Sequence, residues 1–232
     1  MIPPFANHPL VIRFNELKKY FRKFETPISR ARVKEFRQFS KIISTAGLPV
    51  AFDFLGSVNF GQATVSSDVD VVLYITCEND YAGECNPENC RSMEHVKRLL
   101  LQTLVREYAQ HPYEVEIVDA INLNQLNVEL EKADPDSPVL IRFAFYRSIC
   151  RNANAGLIRP FQNRLLANRE LVAKMQPNLW TIFEGLVRSS QYTWSMHKYR
   201  ERLETMGIRL PAGIIRRIHE HLDQDMFLGG EL

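Results

Sequence analysis

No apolar run in this sequence approaches the roughly 20 residues needed to cross a bilayer, and the mean hydropathy is −0.22. A membrane-spanning segment is therefore not expected. The opening residues, MIPPFANHPLVIRF, lack the charged, apolar and small-residue succession of a secretory signal. Cysteine is sparse, with four in 232 residues, too few for a disulfide framework in a chain this long, so the cytoplasm is the default location. Cys77, Cys85 and Cys90 are separated by seven and four residues, unlike the close pairs of zinc sites. An insertion loop with incidental thiols is the preferred reading. Repeats and low-complexity tracts are absent, and no strand signal follows Ile121.

Charge of one sign is also lacking overall, since the net charge is only +2, yet its distribution is uneven. Residues 1–41 carry +7, residues 42–145 carry −10 and residues 146–232 carry +5. An acidic centre between basic flanks suits a bound nucleotide or a polyanionic acceptor; mutual neutralisation within one fold is the plainer alternative. Apolar residues at helical spacing place one amphipathic helix over residues 9–24. A second, on Val33, Phe36, Phe39, Ile42 and Ile43, starts at Thr26-Pro27 and ends near Gly47 and Pro49. Further helices are expected over residues 93–108, 126–132, 139–151, 161–176, 178–205 and 212–224, with Pro177 and Pro211 at starts.

The most informative stretch is residues 50–75, VAFDFLGSVNFGQATVSSDVDVVLYI. It reads as a strand, a turn at Gly56-Ser57, a polar loop and a second strand. Side chains two apart on a strand share a face, so Asp68 and Asp70 project together while Val69 and Val71 face the core. Two such carboxylates repel unless a cation lies between them, and hard oxygen ligands suit Mg²⁺. Gly56 permits a tight turn and close approach to a ligand, and the Ser57 hydroxyl with nearby amides can meet phosphate oxygens. A later strand, residues 113–121, places Glu114, Glu116 and Val118 on one face and Val115, Ile117 and Asp119 on the other. Glu116 can thus face the aspartate pair, whereas Asp119 has the wrong parity. Taken alone, Glu114 and Glu116 would equally suit an edge strand.

The segments GSVNFG and SDVD resemble the signature of the polymerase-beta-type nucleotidyltransferase superfamily, and are most similar to its minimal bacterial-type members, with GSxxxG followed by SDxD. EVEIVDA at residues 114–120 resembles the strand of the third carboxylate, with Glu116 in place of Asp. SPVLIRFAFYRSICRN, residues 137–152, resembles the closing helix. The likeness spans about residues 50–152. Val58, Asn59 and Phe60 stand where family members often carry an Arg.

The resemblance implies an α/β (α+β) fold with a small mixed sheet, flanked by N-terminal helices and a C-terminal helical region. The divisions expected are residues 1–48, 49–155 and 156–232. It also implies Mg²⁺- or Mn²⁺-dependent transfer of a nucleoside monophosphate from a nucleoside triphosphate such as ATP. Asp68, Asp70 and Glu116 would be catalytic and hold the metal, and Gly56, Ser57 and Ser67 would contact the nucleotide. The acceptor is left open between a small molecule, a protein and an RNA end. Two other readings remain: a catalytically idle module binding a nucleotide, nucleic acid or protein, and an antitoxin-like regulator. In the C-terminal region, QYTWSMHKYR offers Tyr192, Trp194 and Tyr199 for stacking on a base, and Lys198 or Arg200 for a phosphate. Aromatics at helical spacing equally suit a core.

Overall fold

The structure, a computed structural model, describes residues 9–77, 90–100 and 113–222. Two helices lead into the sheet: α1 (Pro9–Arg22) and α2 (Pro27–Thr45), followed by β1 (Val50–Phe54) and a single helical turn, α3 (Gly56–Phe60). Next come β2 (Val69–Ile75), α4 (Arg91–Leu99), β3 (Val115–Asn122), α5 (Leu123–Lys132), α6 (Pro138–Ile149) and β4 (Arg151–Ala153). Four helices follow: α7 (Ala155–Ala167), α8 (Arg169–Arg188), α9 (Ser190–Thr205) and α10 (Ala212–Leu222). The fold is α+β. Among the described residues the strands form a sheet of order β3-β2-β1-β4, with β2 parallel to β3 and β1 antiparallel to both β2 and β4.

Strand alternation divides the core in two. On one face Phe52, Phe54, Val69, Val71 and Leu73 pack against Val33, Phe36 and Phe39 of α2. On the other face Ala51, Val72, Tyr74 and Ile121 meet Phe143 of α6, and the same cluster runs through Phe14 and Phe21 of α1 to Phe183, Tyr192 and Tyr199. Burying rings of this kind dominates core energetics, at roughly 1.5–3 kcal/mol for each large side chain removed from water.

Several boundaries differ from the sequence expectations. Thr26 does cap α2, its Oγ1 accepting from Ser29 N, but Ile42 turns outward and is exposed. The strand β4 was hidden: its three residues continue straight from an apolar helix and are ordered by pairing with Phe52, Asp53 and Phe54 and by the Arg151–Glu25 ion pair. Pro177 does not start a helix but lies inside α8, as Pro160 lies inside α7. Leu171 and Met175 before Pro177, and Leu179 and Phe183 after it, are all buried on one face, and that packing outweighs the missing backbone bond. The breaks fall instead at Asn168 and Ser189, whose side chains accept from Leu171 N and Tyr192 N. Both are polar caps. The expected helix over residues 93–108 is seen as far as its α4 portion, and the rest lies outside the described residues, as does Cys85.

Candidate active site

The segment after β1 is not the expected polar loop from its start, because Gly56–Phe60 makes a helical turn closed by Gly61 at φ 74°. Gly56 itself has φ 51°. A Cβ there would lie 2.3 Å from Asp70 Oδ2. Glycine is needed at this position both for the backbone and for the carboxylate lying against it. Leu55 N donates to the Asp70 carbonyl at 2.9 Å, tying the turn to β2.

Residues 62–68 then cross the N-terminal end of α2, which anchors them. Thr26 Oγ1 donates to Ala63 O at 2.7 Å, and Ala63 N donates to Ser29 Oγ at 2.9 Å. Arg32, only 2 % exposed, donates from Nη2 to Val65 O at 3.2 Å. Its guanidinium lies over the Tyr113 ring at 3.7 Å, while Nε and Nη1 have no hydrogen-bond partner. Burial lowers its pKa, opposed by the charges of Tyr113, Glu35 and Asp68. Sequence reasoning passed over Arg32. The available signal was its position on the buried face of α2, in step with Ser29, Val33 and Phe36. Ser67 Oγ accepts from Thr64 N at 2.9 Å and so tightens the turn that delivers Asp68.

Asp70 of β2 stands directly opposite Glu116 of β3, so the two share a face. One ligand oxygen from each of Asp68, Asp70 and Glu116 lies within 4.8 Å of the others. Asp68 and Glu116 are exposed and Asp70 is half-buried. Burial, and then the charges of Asp68 and Glu116, push the Asp70 carboxyl up to about 6. Among the described residues no lysine or arginine forms an ion pair with any of the three. Three converging hard oxygens without an ion-pair partner, two of which repel the charge of Asp70, fit a divalent cation such as Mg²⁺.

Asp119 requires a correction. A bulge falls between Val71 and Val72, where Ile117 and Asp119 are the successive partners. Val118 is the extra residue, and it reverses the alternation beyond it. Asp119 therefore shares the face of Glu116 after all. Its carboxylate is taken, accepting from Arg142 Nη1 at 3.0 Å and from the Tyr146 hydroxyl at 2.8 Å.

A cavity of about 300 Å³ opens beside two of the three carboxylates, its lining including Gly56, Asp70 and Glu116 but not Asp68. Its far walls are Phe14, Phe60, Leu186, Tyr192, Met196 and Tyr199, contributed by α1, α3, α8 and α9. Tyr192 and Tyr199 are buried, and Phe60 packs against both. Trp194 instead points outward, 63 % exposed, with the Lys198 ammonium 4.8 Å from its ring centre. Lys198 and Trp194 do not line the cavity, and Arg200 pairs with Glu204. Half-buried Ser57, on α3, lies outside the cavity lining as well. Asn59 is a cavity residue that the sequence marked only as standing where an arginine was expected. Cys77 and Cys90 are buried with their sulfurs 3.4 Å apart.

No family model, curated protein or solved structure gives a significant match to this chain. Among the described residues no helix is long and apolar enough to cross a membrane.

Proposed function

We propose that this protein is a nucleotidyltransferase that moves a nucleoside monophosphate from a nucleoside triphosphate to an acceptor hydroxyl, with Mg²⁺ or Mn²⁺ as the metal. The observation that carries the reading is the convergence of Asp68, Asp70 and Glu116, with ligand oxygens within 4.8 Å, beside a glycine whose missing side chain leaves room for Asp70. The resemblance of GSVNFG and SDVD to the polymerase-beta-type signature supports the same chemistry. Asp68 and Asp70 would hold the metal jointly, with Glu116 completing the set on the acceptor side. When bound, the metal neutralises phosphate charge and acts as a Lewis acid on the reacting phosphoryl group.

The chain's own groups supply position and proton transfer. Gly56 keeps the turn close against Asp70, and the Ser57 hydroxyl next to it would donate to a phosphate oxygen. The acceptor oxygen forms a bond to the α-phosphorus while the bond from that phosphorus to the α–β bridging oxygen breaks. Pyrophosphate leaves with the electron pair, and Glu116 accepts the hydroxyl proton. Ser67 acts here through the turn before Asp68, and Lys198 belongs to a neighbouring surface.

The test is incubation of the purified protein with Mg²⁺, each labelled ribonucleoside triphosphate in turn, and a pool of alcohols, peptides and RNA ends. Pyrophosphate release with a labelled product is expected, and Asp70→Asn should abolish both without loss of the folded circular-dichroism spectrum. Metal-dependent binding of a triphosphate with no transfer to any acceptor would favour the idle binding module instead.

A further inference from the structure

We propose that the cavity behind Asp70 and Glu116 is the acceptor pocket, and that it takes a neutral or cationic small molecule bearing a hydroxyl group and a flat apolar body. This rests on the transfer reading above. At about 300 Å³ the space is at the lower end of small-molecule sites, which run from roughly 300 to 1,000 Å³. It does not suit a polymer lying along it.

Its position assigns the role. Glu116, Asp70 and Gly56 line the cavity, whereas Ser57 and Asp68 do not. The cavity therefore leaves the carboxylates on the Glu116 side, where the acceptor proton is removed, and the other side is left for the triphosphate. A molecule seated among Phe14, Phe60 and Tyr199 would present its hydroxyl outward to Glu116.

Charge narrows the class. The described residues lining the cavity include two carboxylates and no lysine, arginine or histidine. An RNA end brings phosphates, which are held by cations, and an anionic small molecule would meet the same repulsion. Aromatic walls favour a flat body and tolerate a cation over a ring face. Asn59 adds a polar requirement. It is 1 % exposed, its Nδ2 donates to Ile149 O at 3.0 Å, and its Oδ1 has no partner. A buried amide oxygen without a donor is costly, and an N–H or O–H on the ligand would satisfy it.

The test uses phenethyl alcohol, its para-aminomethyl and para-carboxyl derivatives, and a short oligoadenylate RNA. Binding is read by saturation-transfer NMR, and the affinity for each Mg²⁺-nucleoside triphosphate is measured separately by calorimetry. Two variants sit at exposed positions of the lining: Val118→Trp, at a residue 46 % exposed beside Glu116, narrows the mouth, and Gln191→Lys adds a cation to the wall. The neutral and cationic alcohols should bind the parent, and the carboxylate and the RNA should not. Val118→Trp should weaken alcohol binding about tenfold or more, while Mg²⁺-triphosphate affinity stays within about twofold. Gln191→Lys should weaken the aminomethyl alcohol selectively. Mg²⁺-triphosphate binding retained without alcohol binding would overturn the pocket assignment alone. A triphosphate that displaces the alcohols and is itself weakened by Val118→Trp would mean that the cavity holds the base, overturning the acceptor role. Stronger binding of the RNA than of the alcohols would do the same. A parent protein that binds no Mg²⁺-triphosphate would end the transfer reading, and the acceptor role with it.

Discussion

Two groups of carboxylates stand on the same side of one small sheet and have opposite surroundings. Asp53 and Asp119 lie under α6. Asp53 is fully buried and pairs with Arg147, accepting also from the Tyr74 hydroxyl at 2.6 Å and Asn152 Nδ2 at 3.0 Å. Asp119 is held by Arg142 and Tyr146 of the same helix. Asp70 on β2, Glu116 on β3 and Asp68 just before β2 gather with no cation paired to them among the described residues. Acids neutralised by a packed helix hold the fold together. Acids left to repel one another at the mouth of a cavity are disposed to bind something.

The largest effect should come from the neutralised group. Asp53→Ala leaves the Arg147 guanidinium buried without its counter-ion and strands the Tyr74 hydroxyl. Breaking a buried pair from one side costs about 3–5 kcal/mol, so urea denaturation should show this variant the least stable by a wide margin. A loss under about 1 kcal/mol would mean that α6 is not held as described.

Gly56→Ala tests the boundary between fold and site. The added Cβ meets Asp70 Oδ2 at 2.3 Å and sits on a backbone at φ 51°, so a destabilisation of about 1–3 kcal/mol is expected from strain and overpacking. Because Asp70 must move aside, divalent-cation affinity should fall as well. Calorimetric titration with Mn²⁺ in a variant confirmed as folded separates the two losses.

Asp70→Asn should have the smallest effect on stability, and its sign depends on pH. In the metal-free protein the Asp70 carboxyl is raised from its usual 3.8 to about 6. The folded state therefore holds that proton more tightly than the unfolded chain. The stability it brings is full below pH 4 and is lost as pH rises through about 6. Asparagine carries no such loss. Parent and variant melting temperatures should converge near pH 4, and the variant should match or exceed the parent at neutral pH without metal. Added Mg²⁺ should reverse that order. A variant less stable than the parent at neutral pH in chelator would contradict the repulsion.

Much of the site was legible because it rests on local rules. The alternation Asp68-Val69-Asp70 needs only strand geometry, and Glu116 meets Asp70 because the register between β2 and β3 is regular up to Val71 and Ile117. The bulge at Val118 was not legible, since an extra residue leaves no mark in a run of alternating side chains, and Asp119 was misplaced in consequence. The strand β4 was missed for a related reason: Arg151–Ala153 has no periodicity of its own and is ordered by the edge of β1. In the C-terminal helices Pro177 was the wrong punctuation, whereas Pro211 does precede α10, and two polar caps, Asn168 and Ser189, mark the breaks. Tyr192, Trp194 and Tyr199 looked alike in sequence. The packing of α9 against Phe14 and Phe60 buries the first and last and leaves Trp194 outside.

The central claim is that the three unneutralised carboxylates form a divalent-cation site, and Mn²⁺ binding followed by electron paramagnetic resonance near neutral pH tests it most directly. Four proteins suffice: the parent, Asp70→Asn, Glu116→Gln, and Glu170→Gln as a control at an exposed acid on α8 that pairs with Lys174. The account predicts that the parent binds Mn²⁺ and releases it to Mg²⁺. Asp70→Asn and Glu116→Gln should each weaken binding about tenfold or more, a change of about 1.4 kcal/mol, while the control binds as the parent does. Equal Mn²⁺ affinity across all four proteins would contradict it.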